Sequence, residues 1–229
     1  TVLARLTDPA QRKLIVEDVL CNHADWADLS ENSPWNRVEI GACRSNRTLQ
    51  GRTIGDLARE QGRNPIELVM DLIVSERGYI SAINFAIDEA DIAYVMRHDL
   101  TMIGSDAVGT CPRGRMGEDK VHPRSYGTFP RVLGHYVRER GTLSEPEAIR
   151  KMTALPAQRL GLQDRGRLCQ GCFADIVVYD PATVRDNATF ESPHQYSSGI
   201  ELVMINGRVV WESGAATGEL AGRVLRRTG

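Results

Sequence analysis

A change of spacing restricts the fold of this chain more than any single motif. Helical and strand-like periods alternate through its first part, and β-branched runs replace both towards its end. Residues 10–23 place Leu14 and Val19 at helical spacing beside Ile15 and Val16, and a loop over 25–36 with Pro34 and two tryptophans leads to a strand over 37–43. Helices are expected over 53–61, with Thr53 as N-cap and Asp56 in a capping-box-like position, and over 65–76, with Asn64 as N-cap and Pro65 at the first helical position. A buried strand over 78–86, a helix over 88–96 with Ile92, Val95 and Met96 on one face, and a short apolar strand over 100–105 follow. Helices are expected again over 132–140 and 145–153, the second capped by Ser144 over Glu147. Beyond Leu162 the runs 174–180 and 202–211 are β-branched, and Asn206-Gly207 is a strong hairpin signal. The expected class is α/β with a small β-rich tail.

Composition narrows the partners. The 229 residues are 41% hydrophobic and 25% charged with a formal net charge of -2, which suits a globular protein of one large or two modest domains. Nucleic acid and anionic membranes are not favoured, because both reward a surplus of Lys and Arg; a small-molecule ligand is expected instead. No apolar run approaches the roughly 20 residues of a membrane span, so a cytoplasmic location is expected. The five cysteines are an odd, scattered set, which argues against a disulfide framework. The chain begins at Thr1 without an initiator Met, and a trimmed or partial chain is expected.

The chemistry concentrates in two places. Thr101-Met102-Ile103-Gly104-Ser105 ends at a carboxylate, Asp106, and the run from His122 to Arg131 is rich in glycine, arginine and histidine. A carboxylate at the end of an apolar run, followed by such a loop, is how an active-site edge is commonly built on a parallel-strand scaffold; Asp106 alone reads more often as a turn or N-cap residue. Arg124 alone reads as a solvated residue or one half of an ion pair. Cys169-Gln170-Gly171-Cys172 lacks the second pair a closed zinc site needs and precedes a strand, so it reads as a turn with incidental thiols. Glu89 and Asp91 read as acids favoured by a helix start. The five histidines, His23, His98, His122, His135 and His194, include no His-x-His and no pair four apart.

Four motifs in order carry a family resemblance: Met102-Ile103-Gly104-Ser105-Asp106; His122-Pro123-Arg124-x-Tyr126-Gly127-Thr128-Phe129-Pro130-Arg131-Val132-Leu133-Gly134; Ala148-Ile149-Arg150-Lys151-Met152-Thr153-x-x-Pro156-Ala157; and Gly171-x-x-Ala174-Asp175-Ile176-Val177-Val178. Across 35–223 the chain resembles the C-terminal half of the N-acyl-D-amino-acid deacylases, metal-dependent amidohydrolases. The resemblance implies a partial (β/α)8 TIM barrel over 1–160, made of its C-terminal strands and helices, followed by a small β-sandwich portion over 161–229. It implies a zinc-dependent hydrolase of N-acyl-D-amino acids in which Asp106 follows the last barrel strand, relays a proton beside a zinc ion and is a possible metal ligand. Arg124 would grip the substrate carboxylate through two parallel hydrogen bonds. The other zinc ligands are expected upstream, in a missing N-terminal half or a partner chain, which would leave the isolated chain inactive. Two alternatives stay open: a catalytically silent fragment or subunit, and another cyclic-amide amidohydrolase of the hydantoinase or dihydroorotase kind.

Overall fold

The computed structural model describes residues 1–21 and 35–226. Most of the expected loop over 25–36, together with His23, lies outside the described residues. The described residues divide into two units, one within 1–87 and 110–122 and the other within 88–109 and 123–226. Among the described residues no helix is long and apolar enough to cross a membrane.

The first unit begins with α1 (Val2–Thr7) and α2 (Pro9–Leu20), the latter started by Asp8, whose side chain accepts from the amides of Ala10 and Gln11. Strand β1 (Val38–Cys43) follows, then α3 (Ile54–Gln61) and α4 (Pro65–Ser75). Both expected caps form. The Thr53 hydroxyl accepts from the Asp56 amide, Asn64 accepts from the Ile66 amide, and Gly62 ends α3 in the left-handed conformation at φ 61°. Strand β2 (Ile80–Asn84) pairs antiparallel with β1, and the register shifts between Ile40 and Ala42. Of β2 only Ile83 is fully buried, so the continuous buried strand expected over 78–86 is shorter and half exposed. Ile40, Cys43, Ile54, Leu57, Leu68 and Leu72 form the core where α3 and α4 cover β1.

The second unit opens with α5 (Glu89–Arg97), where Ile92 and Met96 pack inward but Val95 is exposed. The strand expected over 100–105 does not form; residues 101–110 are neither helix nor strand. A strand needs a neighbour for its amides and carbonyls, and in this segment the amide of Ile103 bonds instead to the carbonyl of Lys151, at 3.1 Å. Helix α6 (Arg124–Arg131) runs into a π-helical continuation, Val132–Glu139. Arg124 thus opens a helix that the sequence pattern began only near Pro130. Next come α7 (Glu145–Met152) and α8 (Ala154–Leu160); α8 was not expected. Ser144 sits at the N-cap position of α7 without a capping side-chain bond, and Glu147 pairs with Arg150 at 2.8 Å instead.

Strands β3 (Ile176–Tyr179), β4 (Ile200–Ile205), β5 (Arg208–Glu212) and β6 (Ala215–Ala216) form an antiparallel sheet in chain order. Asn206 and Gly207, at φ 50° and 79°, make the β4–β5 turn from two left-handed residues, the geometry that suits a tight hairpin. The whole is a mixed α/β protein, and the strand pairings recorded among the described residues are antiparallel.

Candidate active site

The segment that carries Asp106 is fastened from below. The Lys151 side chain, 0% exposed on α7, donates through its ammonium to the carbonyls of His98 and Thr101, the latter at 3.2 Å. The Glu147 carboxylate lies 3.5 Å from the same ammonium, so the buried charge is both paired and hydrogen-bonded, as burial demands. The Thr101 hydroxyl donates to the Val95 carbonyl at 2.7 Å and fixes the turn out of α5. With the Ile103 bond, and a turn closed by the Thr101 amide on the His98 carbonyl at 3.0 Å, these contacts hold 98–103 in place without a sheet.

Asp106 adopts φ 47°, a left-handed conformation that few residues other than glycine, asparagine and aspartate accept readily. Its side chain is 88% exposed, and its Oδ2 lies 3.0 Å from Nη2 of Arg124. The two residues singled out from sequence therefore meet, one on an irregular segment and the other on the first turn of α6.

Helix α6 is held rigidly in the same unit. Pro130 has no amide to bond the carbonyl of Tyr126, four residues back. The Ser197 hydroxyl donates to that carbonyl at 3.1 Å and replaces the missing bond. The Tyr126 hydroxyl lies 3.0 Å from His194 Nδ1, so His194 serves as a hydrogen-bond partner. Tyr126, Tyr196 and Trp211 stack edge to face in sequence, with centroids 5.7 and 5.0 Å apart. A Cβ at Gly127 would come within 2.6 Å of Asp186 Cβ, and one at Gly134 within 2.6 Å of the Val184 carbonyl. Seven residues apart, the two glycines share one helix face and let the 184–186 backbone approach it. Arg131 adds an ion pair to Asp186 at 3.2 Å.

Glu89 lies in the first turn of α5, where an acid at the helix start was expected, but does not itself cap the helix. Asp88 caps α5, accepting from the Ala90 amide at 2.7 Å, and Glu89 faces Tyr136 and His135, its Oε1 3.6 Å from His135 Nε2. Burial pushes the Tyr136 hydroxyl above its ordinary pKa, the hydrogen bond with Glu89 adds to this, and Arg131 opposes it. The sequence reading also missed Lys151, Ser197 and Asp186. Lys151 lies in the Arg-Lys-Met-Thr run already singled out, and the paired glycines of α6 were a visible signal of close approach.

The sequence model of the amidohydrolase family matches residues 23–211. This chain belongs to that family. It is 44% identical over 192 residues to a D-aminoacylase of Alcaligenes xylosoxydans xylosoxydans, a match covering 84% of this chain and 37% of that protein. It is 40% identical to an N-acyl-D-glutamate deacylase of the same organism, over 77% of this chain and 34% of the other. Among solved structures, a D-aminoacylase with a binuclear metal centre superposes with a TM-score of 0.75 at 42% identity, over 85% of this amidohydrolase chain and 39% of that one. An N-acyl-D-glutamate deacylase of Bordetella bronchiseptica, complexed with zinc and a phosphonate mimic of the tetrahedral intermediate, superposes with a TM-score of 0.69 at 35% identity, covering 84% of this chain and 38% of that one. The amidohydrolase chain thus spans well under half the length of these relatives.

Proposed function

We propose that this chain is the part of a metal-dependent hydrolase that brings Asp106 and Arg124 to the cleavage of N-acyl-D-amino acids into a D-amino acid and a carboxylate. The observation that carries the reading is the pair itself, an exposed carboxylate on a left-handed backbone 3.0 Å from a guanidinium. Asp106 takes a proton from the attacking water and passes it to the departing amine nitrogen, the work of a general base and then a general acid. Arg124 binds the α-carboxylate of the substrate with its planar fork. A carboxylate that occupies this fork displaces Asp106 and releases it for proton transfer, so substrate arrival and base activation share one contact.

Zinc is the metal we assign to the complete enzyme, on the strength of the zinc complex of the Bordetella deacylase. Among the described residues no group of three or more histidine, cysteine, aspartate or glutamate side chains could hold a metal. These residues do not fit a zinc centre by themselves, Asp106 is a candidate for one ligand, and the proton steps above need Asp106 alone. The other ligands would come from an N-terminal half or a partner chain, as the greater length of the relatives suggests. In that enzyme residues 1–160 would belong to a (β/α)8 barrel and 161–229 to a small β-sandwich, and the isolated chain would be inactive. The test is hydrolysis of N-acetyl-D-amino acids by the complete enzyme. Asp106→Asn should abolish turnover while leaving the metal content largely intact; near-normal kcat in that variant would remove Asp106 from the chemistry.

A further inference from the structure

Cys169 and Cys172 stand apart from the candidate active-site contacts and have a geometry of their own. The amide of Cys172 bonds to the carbonyl of Cys169 at 3.1 Å, closing a β-turn, and Gly171 at φ 85° takes the third position of that turn. Such a turn brings its first and last Cα atoms within about 7 Å, close to the range that disulfide geometry requires. The two cysteines are thus the first and last residues of one turn, and the Cys172 side chain is near enough to act on the ionisation of Cys169. Both thiols are free; Cys169 is exposed and Cys172 half-buried. The next residue is clamped: the Phe173 ring lies between the guanidiniums of Arg165 and Arg223, 4.3 and 4.0 Å from its centroid, and its amide bonds to the Asp164 carbonyl at 2.9 Å. The turn therefore already brings the two cysteines together.

We propose that Cys169 and Cys172 form a reversible disulfide site, oxidised by low-molecular-weight disulfides. One thiolate attacks the oxidant, whose S–S bond breaks and releases one thiolate, leaving a mixed disulfide on the protein. The second cysteine then attacks the protein-side sulfur and expels the other half of the oxidant. Two S–H bonds are lost and one S–S bond forms, the oxidant is reduced to two thiols, and the two protons pass to them. Interaction with the Cys172 side chain, with burial second, holds Cys169 above the ordinary thiol pKa. Only the thiolate attacks, so oxidation that begins at Cys169 accelerates as the pH rises.

Equilibration of the chain with glutathione disulfide, followed by peptide mapping without reduction, tests this. The expected product is one peptide pair linked Cys169 to Cys172, lighter by two hydrogens, formed faster at higher pH and reversed by excess reduced glutathione. In Cys169→Ser and Cys172→Ser the surviving thiol should instead accumulate a stable glutathione adduct, because the resolving partner is gone. A stable adduct on either cysteine of the unaltered chain, or two thiols that stay reduced while the single variants are modified, would overturn the site. So would failure of both single variants to react, since the oxidant would then not reach the turn.

Discussion

Asp106 combines two properties that are separable by substitution. Its carboxylate faces Arg124, and its backbone is left-handed at φ 47°. Asparagine shares the tolerance for that conformation and alanine does not, a difference worth roughly 1 kcal/mol. Asp106→Ala should therefore unfold at lower denaturant than Asp106→Asn by about that amount, while both lose activity in the complete enzyme. Arg124→Lys replaces a fork with a point charge, and KM should rise more than kcat falls; unchanged kinetics would place the substrate carboxylate elsewhere. Lys151 tests the support beneath them. Methionine at 151 fills similar space but leaves the carbonyls of His98 and Thr101 without their donor, a cost of about 3 kcal/mol. Urea denaturation should read that loss, and amide exchange at Ile103 should quicken if the lysine fastens this segment.

At the level of elements, α6 shows what spacing could and could not tell. The His-Pro-Arg run reads as a loop because proline and glycine disfavour helices, yet it is helical from Arg124 onward. Tertiary contacts overrule the local preference: Ser197 takes the carbonyl orphaned by Pro130, and Gly127 and Gly134 admit the 184–186 backbone. None of these partners is near in sequence, so no local pattern could reveal them. Ser197→Ala should cost about 1 kcal/mol, the usual worth of one buried hydrogen bond. Gly127→Ala should also destabilise, by roughly 1–3 kcal/mol of overpacking against a helix-propensity gain of about 1; a more stable Gly127→Ala protein would show that Asp186 yields freely. The caps of α3 and α4 and the turn of the β4–β5 hairpin were legible, while the Ser144 cap of α7 and the inward place of Val95 on α5 were not met. The segment 100–105 was not, because apolar spacing alone does not reveal whether a strand finds a neighbour.

Each unit of the molecule carries a group whose contribution to stability fades at one end of the pH scale, Glu76 in acid and Tyr179 in alkali. In the first, burial raises the Glu76 carboxyl pKa, but hydrogen bonds from the Ser45 hydroxyl, the Cys43 thiol and the Ser45 and Arg44 amides outweigh it and leave the group below its ordinary value. A depressed carboxyl stabilises the fold above its unfolded pKa, so this contribution fades as the pH falls below about 4. Acid titration of stability should be flatter in Glu76→Gln. In the second unit burial, with the hydrogen bond to Glu145 at 2.7 Å, pushes Tyr179 up to about 12. A raised phenol stabilises below its unfolded pKa of about 10 and loses that contribution between there and its folded value. Tyr179→Phe should therefore be less stable than the unaltered chain at neutral pH and lose less on alkaline titration, with tyrosinate absorbance marking the delayed ionisation. The ring series Tyr126, Tyr196 and Trp211 gives the second unit an optical handle. Light absorbed by tyrosines this close to an indole is re-emitted by the indole, so in a chain with Trp26 and Trp35 replaced, the excess of Trp211 emission on excitation where both rings absorb over excitation where only the indole absorbs reports whether the aromatic ladder beside α6 is assembled, with no label and no substrate.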